Sequence, residues 1–347
     1  MSIADVFRTQ AKACEMLGSP FTAGLLRLVP DLLHLENPVT RRVRTWPGDA
    51  SSAGDSLPLR LAGSLHALAR TGRDPALSAL YPPGDRPDRE TLRATLAAAL
   101  ETHAAFLLDR LDGAPQTNEV ARSAVLIAAG SLLTRVFGKP LRLLELGASA
   151  GLNLGWDRYA LEAGGCLLGP RDAGLTLTPE WLGDAPPCAP LRIAERAGVD
   201  LSPIDVTEDS DRQRLLSYIW PDQPDRMARA QAAIDIAREH PVSVARNDAG
   251  IWLKNQLSQP RNGMVTVVFH TIAWQYFPPE TQNRLRATLS QAGSRTSADA
   301  PLAHFSMEAD GRSDSAALAL ELWPGKVVLN LGRADFHGRW VDWREPD

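Results

Sequence analysis

The sequence predicts an α/β protein, a mostly parallel sheet built from residue 139 onward and preceded by an all-helical region over residues 1–138. Three observations predict it. Leu141–Leu154, LRLLELGASAGLNL, is an apolar run that gives way abruptly to small residues, the pattern of a buried strand entering a tight turn and a helix. Beyond it, strand-like runs alternate with helical segments, the signature of parallel βαβ units. Before it, apolar residues recur only at helical spacing.

In the first region, Phe7, Ala11, Cys14 and Met16–Leu17 form one stripe and Phe21–Leu33 a second. Leu59–Arg70 gives a third helix, and Leu92 to Leu111 lines one side of a longer one. Asn37–Leu57, with Pro38, Pro47, Gly48 and the cluster Ser51–Ser56, reads as a loop. In PQTNEV, Pro115–Val120, Thr117 or Asn118 suits a helix cap; the functional alternative is that Gln116, Asn118, Glu119 or Arg122 reaches over the central turn.

The central turn, Gly147-Ala148-Ser149-Ala150-Gly151, is small throughout, so the backbone can approach a ligand and lead into a helix whose free N–H groups face it. Three readings fit. Gly147 and Gly151 flank a cofactor, with Glu145 accepting hydrogen bonds from its polar or cationic part. Alternatively, Ser149 is a nucleophile on a strained G-x-S-x-G elbow. In the third, the glycines only let a helix pack closely on the sheet.

After the turn, Gly151–Ala160 reads as a short helix carrying Asn153, and residues 161–190 as an inserted hairpin rich in Gly and Pro. A strand in IAERAGVDLSP, Ile193–Pro203, ends on Asp200, where a carboxylate can accept from both hydroxyls of a ribose. Asp200 lies 200 − 147 = 53 residues past the first turn glycine, against about 20 in the usual arrangement, and the insertion accounts for the excess. Asp205 is a second candidate, or a cap for the helix around Glu208–Trp220. Two more strands lead into Arg246-Asn247-Asp248-Ala249 and His270-Thr271-Ile272-Ala273-Trp274, so Glu145, Asp200, Asp248 and His270 are expected at one sheet edge. Leu302–Met307 is a further strand, and Ala317–Leu322 and Lys326–Leu331, joined by Trp323-Pro324-Gly325, a closing antiparallel hairpin.

Composition narrows the chemistry. Lys+Arg 37 against Asp+Glu 41 gives a net charge of −4, and no basic block or aromatic-interleaved stripe supports a nucleic-acid partner. Cys14, Cys166 and Cys188 are far apart and form no C-x-x-C pair, so a reduced, cytoplasmic setting without a disulfide framework is the expectation. The histidines show no H-E-x-x-H spacing, and no metal is expected. The reading of the N-terminus and of the apolar runs gives no signal peptide and no membrane span of about 18 residues.

The motifs ELGASAGLN, GVDLSP and RNDA, in that order on successive strands and followed by a closing hairpin, resemble the cofactor motifs of class I S-adenosylmethionine-dependent methyltransferases over roughly residues 139–335. More narrowly, PQTNEVARSA leading into LLELGASAGLNLGWDRY, with WPDQPDR and VVFHT behind it, resembles an uncharacterised bacterial family known only as a domain of unknown function, DUF2332. The resemblance implies a Rossmann-like fold with a seven-stranded, mostly parallel sheet. It also implies S-adenosylmethionine as cofactor, with Glu145, Gly147, Ser149, Gly151 and Asn153 around its methionine part, Asp200 on the ribose, and Asp248 with Ala249 beside the adenine. His270 falls beside the transferring methyl as a candidate base. Asn118, Glu119, Arg122, Trp274 and Tyr276 fall around a small-molecule acceptor. Two departures stand out: Ser149 replaces the middle glycine of the usual motif, and FHTIAW replaces the Asn/Asp-Pro-Pro-aromatic signature, which disfavours amino-methylation of bases or glutamine.

The expected function is therefore methyl transfer to an unknown small acceptor. Its rivals are a serine hydrolase using Ser149 with His270, His304 or His337 as base, and a protein that binds the cofactor or its demethylated product without turnover. Against the hydrolase, the preceding 138 residues lack the strands that build such a sheet, and Glu145 would oppose a developing oxyanion.

Overall fold

The computed structural model describes residues 1–84 and 87–345, which divide into two compact units, Met1–Thr117 with Thr207–Gln231, and Asn118–Val206 with Ala232–Asp347. This partition differs from a single boundary at 138/139. The helix entering the central strand goes with the sheet, and a later segment rejoins the helical unit.

The first unit is helical among its described residues. Up to Thr117 its helices are α1 (Ile3–Met16), α2 (Pro20–Leu32), α3 (Pro38–Arg44), α4 (Leu57–Arg70), α5 (Pro75–Leu80), α6 (Arg89–Thr102) and α7 (Ala104–Leu111). Helix α3 stands inside the segment read as a loop, started by Asn37, whose side chain accepts from Thr40 N, and by Pro38 in the first turn. The long helix expected through Leu111 breaks at His103 into α6 and α7. Helix α4 is almost wholly buried, and Leu61, Leu65 and Leu68 share one core with Phe7, Leu26, Leu100 and Leu107. The returning segment is held to this core by polar contacts: Asp222 accepts from Ser19 Oγ and from Phe21 N, and His66 Nδ1 meets Ser217 O at 3.0 Å.

In the second unit, α8 (Ser123–Phe137) precedes the sheet. Val120–Phe137 is by length and composition apolar enough to cross a bilayer, although Arg122 and Arg135 interrupt it, but 78% of it lies buried in the fold, as befits a core helix. The strands follow as β1 (Leu141–Leu146), β2 (Ala160–Ala163), β3 (Cys166–Leu168), β4 (Thr176–Leu177), β5 (Glu180–Gly183) and β6 (Ile193–Asp200). Next come α9 (Asp209–Ser217) of the first unit and α10 (Pro224–Glu239), within which the chain passes from the first unit to the second. The rest is β7 (Val244–Arg246), α11 (Ala249–Gln256), β8 (Val265–Thr271), α12 (Pro279–Gly293), β9 (Leu302–Glu308), β10 (Ala316–Trp323), β11 (Val327–Ala334) and β12 (Trp340–Trp343).

The sheet has nine strands rather than seven, in the order β5-β12-β11-β10-β9-β8-β1-β6-β7. The five strands from β9 to β7 run parallel, and β9 to β12 form an antiparallel meander. The two extra strands come from β12 and from the insertion: β5 pairs with β12 in parallel, while β2, β3 and β4 make a separate small sheet. Leu144 and Leu146 pack with Val268, Leu253, Leu285 and Leu289 between the sheet and α11 and α12.

Candidate functional site

β1 lies between β6 and β8. The chain goes from β1 to β6 and β7 on one side, then returns to β8 on the other, so the C-terminal ends of β1 and β8 flank the topological switch point where open α/β sheets place ligands. The glycine turn sits there. Gly147 N and Ala148 N both donate to Val199 O, at 2.9 and 3.0 Å, and Ser149 N donates to Asp200 Oδ2 at 2.9 Å. The turn is thereby stitched to the end of β6. Gly147 has φ +71°, and a Cβ on it would stand 2.8 Å from Ala273 Cβ, so the segment after β8 lies directly against it. The helix expected over Gly151–Ala160 is a 3-10 segment, Leu152–Arg158, and its first amide, Leu152 N, donates to Asn118 Oδ1 at 3.0 Å.

Among the described residues five non-glycine residues have positive φ, and three of them meet here: Asn118 at +38°, Ser149 at +52° and Ile272 at +50°. For a β-branched residue such as Ile272 this is a strained conformation that the surroundings must enforce, and such strain gathers at functional sites.

The carboxylates differ in character. Glu145 is 2% exposed, its Oε2 has no hydrogen-bond partner, and burial, reinforced by the negative Asp200 nearby, pushes its pKa well above the carboxylate range. Asp200 accepts backbone amides on each oxygen, Ser202 N at 2.8 Å and Ser149 N. Asp248 caps α11 through Ile251 N and also binds Thr281 Oγ1 and Arg284; burial pushes its pKa up, but these donors outweigh it and hold the group below the usual carboxylate value. Asp248 thus ties α11 to α12. Ala249 follows it, buried in the same core.

The segment ahead of α8 packs on the 3-10 segment that follows the turn. Glu119 O accepts from Asn153 Nδ2, Ser123 Oγ donates to Asn153 Oδ1 at 2.8 Å, and Glu119 caps its own turn through Ala121 N. Arg122 donates from Nε to Phe336 O and from Nη1 to Thr271 O, at 2.9 and 3.1 Å, bridging the end of β8 to the meander. On the other side Trp274 is half-buried, with Arg286 over its ring, and Tyr276 is 61% exposed.

His270 is buried, and both of its ring nitrogens are used: Nδ1 meets Glu308 Oε1 at 2.7 Å and Nε2 meets His304 Nε2 at 3.0 Å. Its ring stacks on Trp274. Tyr159, Ala273 and Glu308 also belong to this edge and its surroundings and were not singled out from sequence, whereas His304 was named there only as a base for the hydrolase reading. Only Glu308 carried a signal there, as an acid closing a strand. Among the described residues no group of three or more His, Cys, Asp or Glu is placed to hold a metal ion.

A family model described as "Uncharacterized protein conserved in bacteria (DUF2332)" matches residues 4–343. The chain belongs to this family. No curated protein and no solved structure matches it. The DUF2332 match runs through both compact units, so the helical unit is part of what the family shares.

Proposed function

We propose that this DUF2332 chain is a methyltransferase with a Rossmann-like class I core that takes S-adenosylmethionine at the C-terminal edge of β1, β6 and β8 and methylates a small-molecule acceptor. The observation that carries the reading is Glu145 Oε2, a buried carboxyl oxygen with no donor beneath a glycine turn at the switch point. An ammonium or other cationic donor placed against it supplies the missing hydrogen bond and draws the carboxyl back toward its charged form. Bound at this edge, the sulfonium supplies an electrophilic methyl group. Asp200 ends β6 beside the turn, the position at which a carboxylate in an open α/β sheet takes ribose hydroxyls. Asp248 is committed to its cap, which leaves Ala249 as the apolar wall for an adenine. The segments Asn118–Arg122 and Ala273–Phe277 border the turn on two sides and supply the residues that would orient an acceptor.

Ser149 shares its positive φ with a nucleophile elbow, but its amide is used by Asp200 and the nitrogens of His270 are committed to Glu308 and His304, so no observation favours the hydrolase. Calorimetric titration with S-adenosylmethionine and S-adenosylhomocysteine, after removal of any co-purified nucleotide, tests the proposal. Saturable binding that weakens at least tenfold in folded Glu145→Gln and Asp200→Ala supports it; no heat of binding to the wild type sinks it. Binding with no methylated product in any extract points to the non-catalytic binder.

A further inference from the structure

Glu308 ends β9, and its Oε1 accepts three hydrogen bonds: His270 Nδ1 at 2.7 Å, Ala273 N at 3.0 Å and Trp274 N at 3.2 Å. Its Oε2 is buried with no partner. An oxygen that accepts from two backbone amides acts as an acceptor, so the ring nitrogen facing it is the one that carries hydrogen. This puts a hydrogen on His270 Nδ1. The 3.0 Å contact between its Nε2 and His304 Nε2 is closed by one hydrogen, carried by either ring. The ring centroids are 5.1 Å apart, as expected for rings meeting end to end rather than face to face. His304 Nδ1 in turn faces Glu321 Oε2 at 3.9 Å, on the neighbouring strand, where His304 and Glu321 are register partners. The hydrogen at His270 Nδ1 therefore points toward Glu308.

What Glu308 holds is the segment after β8. Ala273 and Trp274 are the residues whose amides it binds, Ala273 is the one that lies against Gly147, and Ile272 immediately before them is strained. A strained segment stays in place only if something over-determines it, and a negative oxygen accepting consecutive amides does so.

We infer that Glu308 is the positioning residue of the candidate site, its charge clamping Ala273–Trp274 against the glycine turn, and that the His270–His304 pair serves to orient that clamp. His270 on this assignment acts through Glu308 and does not touch the acceptor. The site in question is that of the proposed methyltransferase, but the clamp is read out without any ligand.

The test is amide hydrogen exchange with ring-nitrogen NMR on the intact chain, for wild type, Glu308→Gln, His304→Gln and His304→Leu. In Glu308→Gln the Ala273 and Trp274 amides exchange at least tenfold faster, while core amides of β1 and β8 keep their protection. In wild type and His304→Gln, whose side-chain amide still meets Nε2, the His270 ring carries a hydrogen on Nδ1. In His304→Leu that preference weakens and the same two amides lose protection. Unchanged exchange of the two amides in folded Glu308→Gln, or a His270 ring protonated only on Nε2 in the wild type, overturns the inference. Absence of S-adenosylmethionine binding alongside these exchange changes removes the methyltransferase reading and leaves the clamp standing.

Discussion

The close approach at Gly147 allows a prediction whose parts separate cleanly. In Gly147→Ala, an alanine must adopt φ +71°, which costs about 1–2 kcal/mol for an L-residue. Its Cβ also arrives 2.8 Å from Ala273 Cβ, well inside contact distance, and overpacking of that kind costs about 1–3 kcal/mol. The single variant should therefore lose about 2–5 kcal/mol. Ala273→Gly removes the atom that is struck and on its own costs about 0.4–1 kcal/mol through chain entropy. In the double variant the overpacking vanishes while the backbone strain remains, so the two substitutions should couple by about 1–3 kcal/mol, the double being more stable than the sum of the singles. Urea unfolding followed by circular dichroism reads this as midpoints at unchanged slope. Additivity within about 0.5 kcal/mol would refute the contact, and with it the claim that the segment after β8 is packed on the turn.

Three further outcomes follow from other residues. For Glu145, whose folded pKa is raised, the native state holds a proton the unfolded chain releases; stability therefore falls as pH rises above the ordinary carboxyl value of 4.5, and Glu145→Gln should abolish that component of the slope in urea melts between pH 5 and 8. For His66, burial, helped by Arg70, lowers the pKa from 6.5 to about 4, so the unfolded chain binds the extra proton and stability is lost as pH drops through this window; the full effect is about 3 kcal/mol, read as wild type against His66→Gln. Arg122→Lys should not rescue Arg122→Ala, because two separate carbonyls, Thr271 O and Phe336 O, need the planar fork; both variants should lose about 1–3 kcal/mol in the same melts.

Local chemistry was legible in the sequence wherever one segment decided its own structure. The run LLEL, the helices on either side of β8 and the hairpin at Trp323-Pro324-Gly325 fall where period and turn residues place them. Helix α3 was legible in principle, since Asn37-Pro38 is a helix start, but the glycines and serines that follow drew the whole segment into a loop. The break at His103 and the return of Thr207–Gln231 to the helical unit depend on tertiary packing: a Cβ on Gly63 of α4 would stand 2.5 Å from the Tyr218 ring, which requires that segment to come back. The nine-strand sheet was hidden for the same reason. β5 earns its place by parallel pairing with β12, from Trp340 opposite Glu180 to Trp343 opposite Gly183, and no local pattern announces a partner so distant in the chain.

Register explains the hardest part of the site. Reading strand ends puts Glu145 and His270 at one edge, and they are there, but an edge has two faces. Glu145 pairs with Phe269, so these two side chains share a face, and His270, one residue on, turns to the other with Leu144, Leu146 and Val268. The β8–β9 register then pairs His270 with Ser306, which brings residues 304, 306 and 308 to the face of His270. Once those pairings are known, His304 and Glu308 are the only ionisable residues of β9 on that face, and the Glu308–His270–His304 array follows. A sequence offers the alternation but not the register. Glu145 could be picked out from its own strand, whereas Glu308 needed its neighbours.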